Sequence, residues 1–215
     1  MTEPGAKSPR ERYRAQMRAE IKQCAWEQIA TAGASALSLN AIAKQVGVSG
    51  PALYRYFASR DELITELIRD AYRSLADTMR AARDAGADVA GLAYALREWA
   101  LADPQRYFLI YGTPIPGYYA PADTTEISNE IMTMLIEAFS ALSPDKPTTP
   151  FDAHLEHHRR WAADQSLPAT TLHHAISFWT RLHGVLSLEL AGHFTGMEFD
   201  PALLFADELN TLGTH

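Results

Sequence analysis

Residues 37–57 read LSLNAIAKQVGVSGPALYRYF. Leu39, Ile42, Ala43 and Val46 recur at i, i+3, i+4 and i+7, the spacing that puts apolar side chains on one face of a helix. Ser38 is a good N-cap, and Gly47 stops the helix after about two turns. After Val48-Ser49 a third short helix is expected from Gly50 to about Tyr56, with Leu53 and Phe57 facing inward. Short helix, tight glycine turn and short helix is the plan of a helix-turn-helix, whose second helix projects into a major groove. Ala43 is small where the two helices cross, Gly47 accepts the positive φ of the turn, and Val48 plugs the turn into the core.

Once Leu53 and Phe57 are buried, the outer face of the third helix consists of Gly50, Pro51, Ala52, Tyr54, Arg55 and Tyr56. Gly50 and Pro51 permit close approach at a helix N-terminus, where N–H groups favour phosphate. Ala52 suits a thymine methyl, and Arg55 suits the acceptors of guanine. The hydroxyls of Tyr54 and Tyr56 can reach backbone phosphates. Ser38, Lys44, Ser49 and Arg60 are placed for further phosphate contacts, which fix register without reading sequence.

Charge supports a polyanionic partner at this end. Residues 1–60 carry nine Lys/Arg and four acids, so +5, which leaves −12 for residues 61–215 of a chain whose net charge is −7. A basic head on an acidic body is the layout of a protein whose one end meets nucleic acid. Upstream, Ile21, Ala25 and Ile29 form an apolar stripe on a helix beginning near Glu11 and ended by Gly33. Residues 1–10, with Pro4, Gly5 and Pro9, are expected to be disordered. Downstream, Ser59-Arg60-Asp61-Glu62 is a capping box opening a long helix to about Ala82.

The skeleton Ile42-Ala43, Gly47-Val48-Ser49 and Leu53-Tyr54-Arg55-Tyr56-Phe57 resembles the DNA-binding domain of the TetR family of bacterial regulators. The basic residue at the start of the following helix is met by Arg60, where lysine is common in the family. The resemblance implies that residues 50–52 and 54 approach bases while Tyr56 and Arg60 hold the backbone. It also implies a homodimer on a pseudo-palindromic double-stranded operator, released by a small-molecule inducer, with the third helices about 34–36 Å apart. Its domains would be residues 1–60, a helix-turn-helix unit, and residues 61–215, a larger helical unit for ligand binding and dimerisation.

The rest of the chain reads as helices at about 88–101, 103–112, 121–142, 151–165, 168–192 and 200–212, with loops at 113–117 and 143–150. No stretch alternates like a half-buried strand, so the fold class is all-α. Trp179, His183 and Gly184 resemble the Trp…His-Gly signature of one subset of these regulators. In the helix 168–192, Leu182, Leu186 and Leu190 accompany His183, and Gly184 costs about 1 kcal/mol relative to alanine, a cost usually offset by a close helix crossing. Leu182, His183, Gly184, Leu186 and Leu190, with Leu204 from the last helix, are therefore assigned to a two-fold interface. Trp99, Tyr107, Phe108, Tyr111, Tyr118, Phe139, Trp161 and Trp179 are more large aromatics than a plain bundle needs. They are assigned to a ligand pocket.

Other chemistries find little in the sequence. His154 and His158 have metal-compatible i, i+4 spacing, but no cysteine or carboxylate cluster completes a site, and a solvated face is the better reading. There is no phosphate-cradling glycine loop or nucleophile elbow, so neither enzyme nor cofactor is expected. The single cysteine, Cys24, fits a reducing compartment, and no apolar run of membrane-spanning length is present, so a cytoplasmic protein is expected. The rival reading is a helical dimeric interaction module or small-molecule-binding protein without DNA binding.

Overall fold

The computed structural model describes residues 8–141 and 149–213, and they fold into helices with no strand among them. Residues 1–7 and most of the expected 143–150 connector lie outside the described residues. The chain divides into two compact units: Met1–Asp70 with Thr113–Ala120, and Ala71–Gly112 with Pro121–His215.

In the first unit, α1 (Pro9–Ala32) starts earlier than Glu11 because Ser8 and Glu11 form a reciprocal capping box and Pro9 sits at the first helical position. Pro9 and Arg10 are thus helical, not disordered. Met17, Ile21, Cys24, Ala25 and Ile29 bury the inner face of α1. A 3-10 turn, Ala34–Ala36, leads to α2 (Leu39–Gln45). Gly47 takes φ +73°, where an L side chain would be strained, and lets the Val48 N–H reach the Ala43 carbonyl at 2.9 Å. The third helix, α3, is α-helical only over Gly50–Leu53. Its last turn then tightens, with the Arg55 and Tyr56 N–H groups donating to carbonyls three residues back.

The fourth helix, α4 (Arg60–Asp84), is continuous across the division between the units. Its start is capped by Ser59, whose Oγ accepts the Glu62 N–H at 3.0 Å. The Glu62 carboxylate accepts the N–H of Ala58, one residue beyond the usual box, at 2.6 Å. Leu37, Ile42, Leu53, Phe57, Leu63, Ile64 and Leu67 are buried together with Ile21 and Ala25 in the core of this unit.

The second unit adds α5 (Val89–Ala102), α6 (Pro104–Tyr111), α7 (Ala122–Ser140), α8 (Pro150–Leu155), α9 (Ala169–Leu190) and α10 (Pro201–Gly213). The helix expected over 151–165 is much shorter. Its continuation is replaced by turns in which the Arg159 guanidinium donates to the carbonyls of Gln165 at 3.0 Å and Leu167 at 2.7 Å. The core holds Leu75, Met79, Leu96, Leu135, Phe178, Leu182, Leu186 and Phe205. Arg97 of α5 pairs with Glu189 of α9 at 2.6 Å, both side chains largely buried. Among the described residues no helix is long and apolar enough to cross a membrane.

Candidate nucleic-acid interface and buried aromatic cluster

The helix-turn-helix tip separates its residues as amphipathic packing requires. Leu53 and Phe57 are wholly buried, whereas Pro51, Tyr54 and Arg55 are exposed and Gly50, Ala52 and Tyr56 are half-buried. Ser38 and Ser49 act as caps: their Oγ atoms accept the N–H of Ala41 at 3.4 Å and of Ala52 at 3.3 Å. A hydroxyl that accepts still has its own proton to donate, so capping leaves each serine able to bind an anionic oxygen. Lys44 is exposed on the last turn of α2.

Arg60 is engaged differently. Its guanidinium donates to the carbonyls of Ala34 at 2.8 Å, Ser35 at 3.1 Å and Leu37 at 3.2 Å. These carbonyls belong to the 3-10 turn after α1 and to Leu37, which ends it. Arg60 thus ties α4 to the entry of α2 and braces the motif from behind.

The second brace is Arg18, which entered the sequence analysis only as a charge. Its guanidinium lies over the Phe57 ring at 4.1 Å, donates to the Tyr56 carbonyl and pairs with Glu66 at 3.2 Å. One side chain therefore joins α1, the end of α3 and α4. A signal was present: Arg18 stands at i−3 and i−7 from Ile21 and Ala25, a cation on the apolar stripe. Lys22, one turn on, pairs with Asp70 at 2.6 Å.

In the second unit only some of the aromatics assigned to a pocket come together. Tyr111 sits among Tyr72, Tyr107, Trp179 and His183, with ring centroids 6.1, 5.4, 5.6 and 4.2 Å away. Phe108 packs edge-on against Tyr107 at 5.7 Å. The Tyr107 hydroxyl lies 2.9 Å from His183 Nδ1 and 2.8 Å from Ser187 Oγ. Tyr111 Oη and His183 Nε2 are buried with no hydrogen-bond partner. Burial lowers the His183 pKa from the ordinary 6.5 to about 4, so the ring is neutral at pH 7. Burial raises the Tyr111 hydroxyl well above the tyrosine range, so it keeps its proton.

The other assigned aromatics lie elsewhere. Trp99 is buried beside Ser74, whose Oγ accepts its indole N–H at 3.1 Å. Phe139 packs on Phe178 at 5.2 Å in the core. Trp161 is 38% exposed and donates to the His158 carbonyl. Tyr118 belongs to the first unit, 3.0 Å from Thr65 Oγ. Tyr72, not assigned from the sequence, stands one turn beyond the buried Ile68 of α4. A cavity of about 330 Å³ opens near Val89, Ala138, Phe178 and Leu209, and none of the assigned aromatics lines it.

The interface assignment also changes. Leu182 and Leu186 are wholly buried within the chain and have no surface left for a partner. Gly184 is exposed, and a Cβ added there would meet nothing within 4 Å, so no crossing within the chain explains it. His183 turns into the aromatic cluster, while Leu190 and Leu204 are half-buried against the core. Among the described residues, the large apolar side chains that α9 and α10 leave exposed are Leu188 and Leu203, at 45% and 70%.

His154 and His158 stack face to face at 3.9 Å. His173 Nδ1 pairs with the buried Asp152 at 2.9 Å. Burial pushes that carboxyl up, but Thr149 and His173 together hold it below the usual range. Among the described residues no three His, Cys, Asp or Glu side chains are grouped to hold a metal ion.

A braced helix-turn-helix on an all-helical body defines a helix-turn-helix transcriptional regulator. The chain belongs to the TetR family: residues 23–67 match the family described as bacterial regulatory proteins, tetR family, and residues 89–212 match the tetracyclin repressor-like C-terminal domain. It is similar to the HTH-type transcriptional regulators Rv1816 of Mycobacterium tuberculosis and Mb1846 of Mycobacterium bovis. Each is 35% identical over 211 residues, covering 89% of this chain and 88% of the relative. It is also similar to the crystal structure of SCO4313, at 69% identity and a TM-score of 0.89, over 95% of this chain and 98% of that one.

Proposed function

We propose that this TetR-family regulator is a ligand-responsive repressor that binds a pseudo-palindromic operator as a homodimer and is released by a small-molecule inducer. The observation that carries DNA reading is the tip of α3. Ala52, Tyr54 and Arg55 point away from a core that buries Leu53 and Phe57, and Arg18 and Arg60 hold that tip from behind. In this reading Gly50, Pro51, Ala52, Tyr54 and Arg55 approach base edges, while Ser38, Lys44, Ser49 and Tyr56 contact phosphates. Arg60 acts in this reading as a brace, because its Nε and Nη2 already meet three carbonyls.

The division of labour follows the two ends of the chain: residues 1–60 for DNA, residues 61–215 for ligand and partner, acting in the cytoplasm. The open space at Gly184 and the exposed Leu188 and Leu203 favour a second copy on α9 and α10. Because α4 is one helix, a shift of its C-terminal part on ligand binding would be carried to the residues that meet Arg18 and Arg60. Such coupling works only if the inducer prefers the DNA-free state, typically by about 1–3 kcal/mol.

Selection of bound sequences from random duplex DNA tests the proposal. A palindrome with half-sites about one helical turn apart is the expected result. A single unpaired site would remove the homodimer, and no enrichment would remove DNA binding.

A further inference from the structure

The cavity at the start of α5 has a graded lining. Phe178 of α9 and Leu209 of α10 form its floor, at 2% and 7% exposure. Val89 and Ala90 of α5 and Ala138 of α7 line its walls half-buried, and Asp88 stands exposed at the rim. At about 330 Å³ it has the volume of roughly ten liquid waters. A hollow with apolar walls costs stability to keep, and Ala90 and Ala138 stand where larger apolar side chains would close it. A concave, mostly apolar lining with one placed polar group is the make-up of a small-molecule site.

The charges at the rim decide the class of ligand. Asp88 Oδ1 accepts the Gly91 N–H at 2.9 Å and so caps α5. Its carboxylate and the positive end of the helix dipole offset each other. Arg83, the cation nearest along the chain, is engaged with Asp84 at 3.0 Å and Glu137 at 3.9 Å. Neither a cation nor an anion therefore finds a free counter-charge. A capped carboxylate still has lone pairs for a hydroxyl proton. We infer that this cavity binds a small neutral amphiphile of about ten heavy atoms, such as a medium-chain alcohol, its apolar body on Phe178 and Leu209 and its hydroxyl at Asp88. The inference rests on the proposed ligand response and gives it a location and a chemistry.

The test titrates the full chain, without DNA, with n-hexanol, n-octanol, n-decanol and n-dodecanol by calorimetry. Affinity is expected to rise about fourfold per methylene and to stop rising beyond decanol, where the chain outgrows the cavity. Octanoate and octylammonium should bind at least tenfold more weakly than octanol. Ala138→Leu fills the space from α7 and Ala90→Leu from α5. Each should weaken octanol binding at least tenfold with the thermal midpoint unchanged or higher, and the two variants together guard against one that fails to fold. No binding of octanol, a gain that continues through dodecanol, octanoate or octylammonium binding as tightly as octanol, or full octanol affinity in a folded cavity-filling variant would each overturn the inference. DNA binding is measured separately by mobility shift. Octanol that binds without releasing DNA would count against the ligand response alone, and failure to shift DNA while octanol still binds would count against the repressor reading alone.

Discussion

The Arg18 guanidinium lies 4.1 Å from the centre of the Phe57 ring while donating to the Tyr56 carbonyl. A cation over an aromatic face and a charge-assisted hydrogen bond thus hold the residue pair that follows α3, and a half-buried ion pair ties the same guanidinium to Glu66 of α4. The α-helical part of α3 is only Gly50–Leu53, and so short a helix has little stability of its own. Its orientation is imposed from outside.

Arg18→Met therefore should weaken DNA binding about tenfold while leaving the salt dependence nearly unchanged, because Arg18 orients the tip without touching phosphate. Fluorescence anisotropy at several salt concentrations reads both quantities. A slope reduced by about one, the mark of a lost phosphate contact, would mean that Arg18 meets DNA itself.

Lys44 and Arg60 should behave in opposite ways. Lys44→Ala is expected to lower the salt slope by about one and to leave stability within about 0.5 kcal/mol. Arg60→Ala removes three hydrogen bonds to carbonyls and should cost about 1–3 kcal/mol of stability in urea melts. A stable Arg60→Ala protein with a reduced salt slope would return Arg60 to the DNA surface.

Arg55 and Tyr56 separate reading from holding. Arg55→Ala should relax preference at one position per half-site by about 1–3 kcal/mol, whereas Tyr56→Phe should weaken binding to all sequences alike. Affinities for a panel of single-base operator variants distinguish the two patterns.

His183 makes stability depend on pH in a definite direction. Its folded-state pKa is about 4, against 6.5 when unperturbed, and burial is the cause. Between these values the unfolded chain binds the proton and the folded one does not. The contribution is therefore complete above pH 6.5 and is lost progressively as pH falls toward 4, up to about 3 kcal/mol in all. Urea melts of the wild type and of His183→Gln across pH 4–7.5 should diverge in that window. Parallel curves would show that His183 is already solvated.

Gly184→Ala probes the proposed two-fold face. Within one chain the added methyl meets nothing, so helix propensity alone predicts a gain of about 1 kcal/mol. A partner's backbone packed at that point would reverse the sign and weaken the dimer. Sedimentation at graded concentration detects either result.

Much of the first unit was legible because its signals are local. Ser38 as a cap, Gly47 in the turn and Leu53 and Phe57 as the buried face depend on residues within a turn or two of one another. The same reasoning faltered in the second unit. The helix expected over 151–165 stops at Leu155, because Arg159 finds carbonyls six and eight residues away that helical periodicity cannot foresee.

The sequence by itself determined the all-helical class, the helix-turn-helix and which face of α3 is left exposed, since periodicity, caps and turn glycines act over a few residues. The tertiary structure alone decided what the cations and aromatics do. It turned Arg60 inward, set Arg18 against Phe57, sent Leu182 and Leu186 into the core, and gathered Tyr72, Tyr107, Tyr111, Trp179 and His183 while leaving Trp161 and Phe139 apart. The physical reason is that a long cationic or aromatic side chain takes its role from partners distant in the chain, and the spacing of its own neighbours carries no record of them.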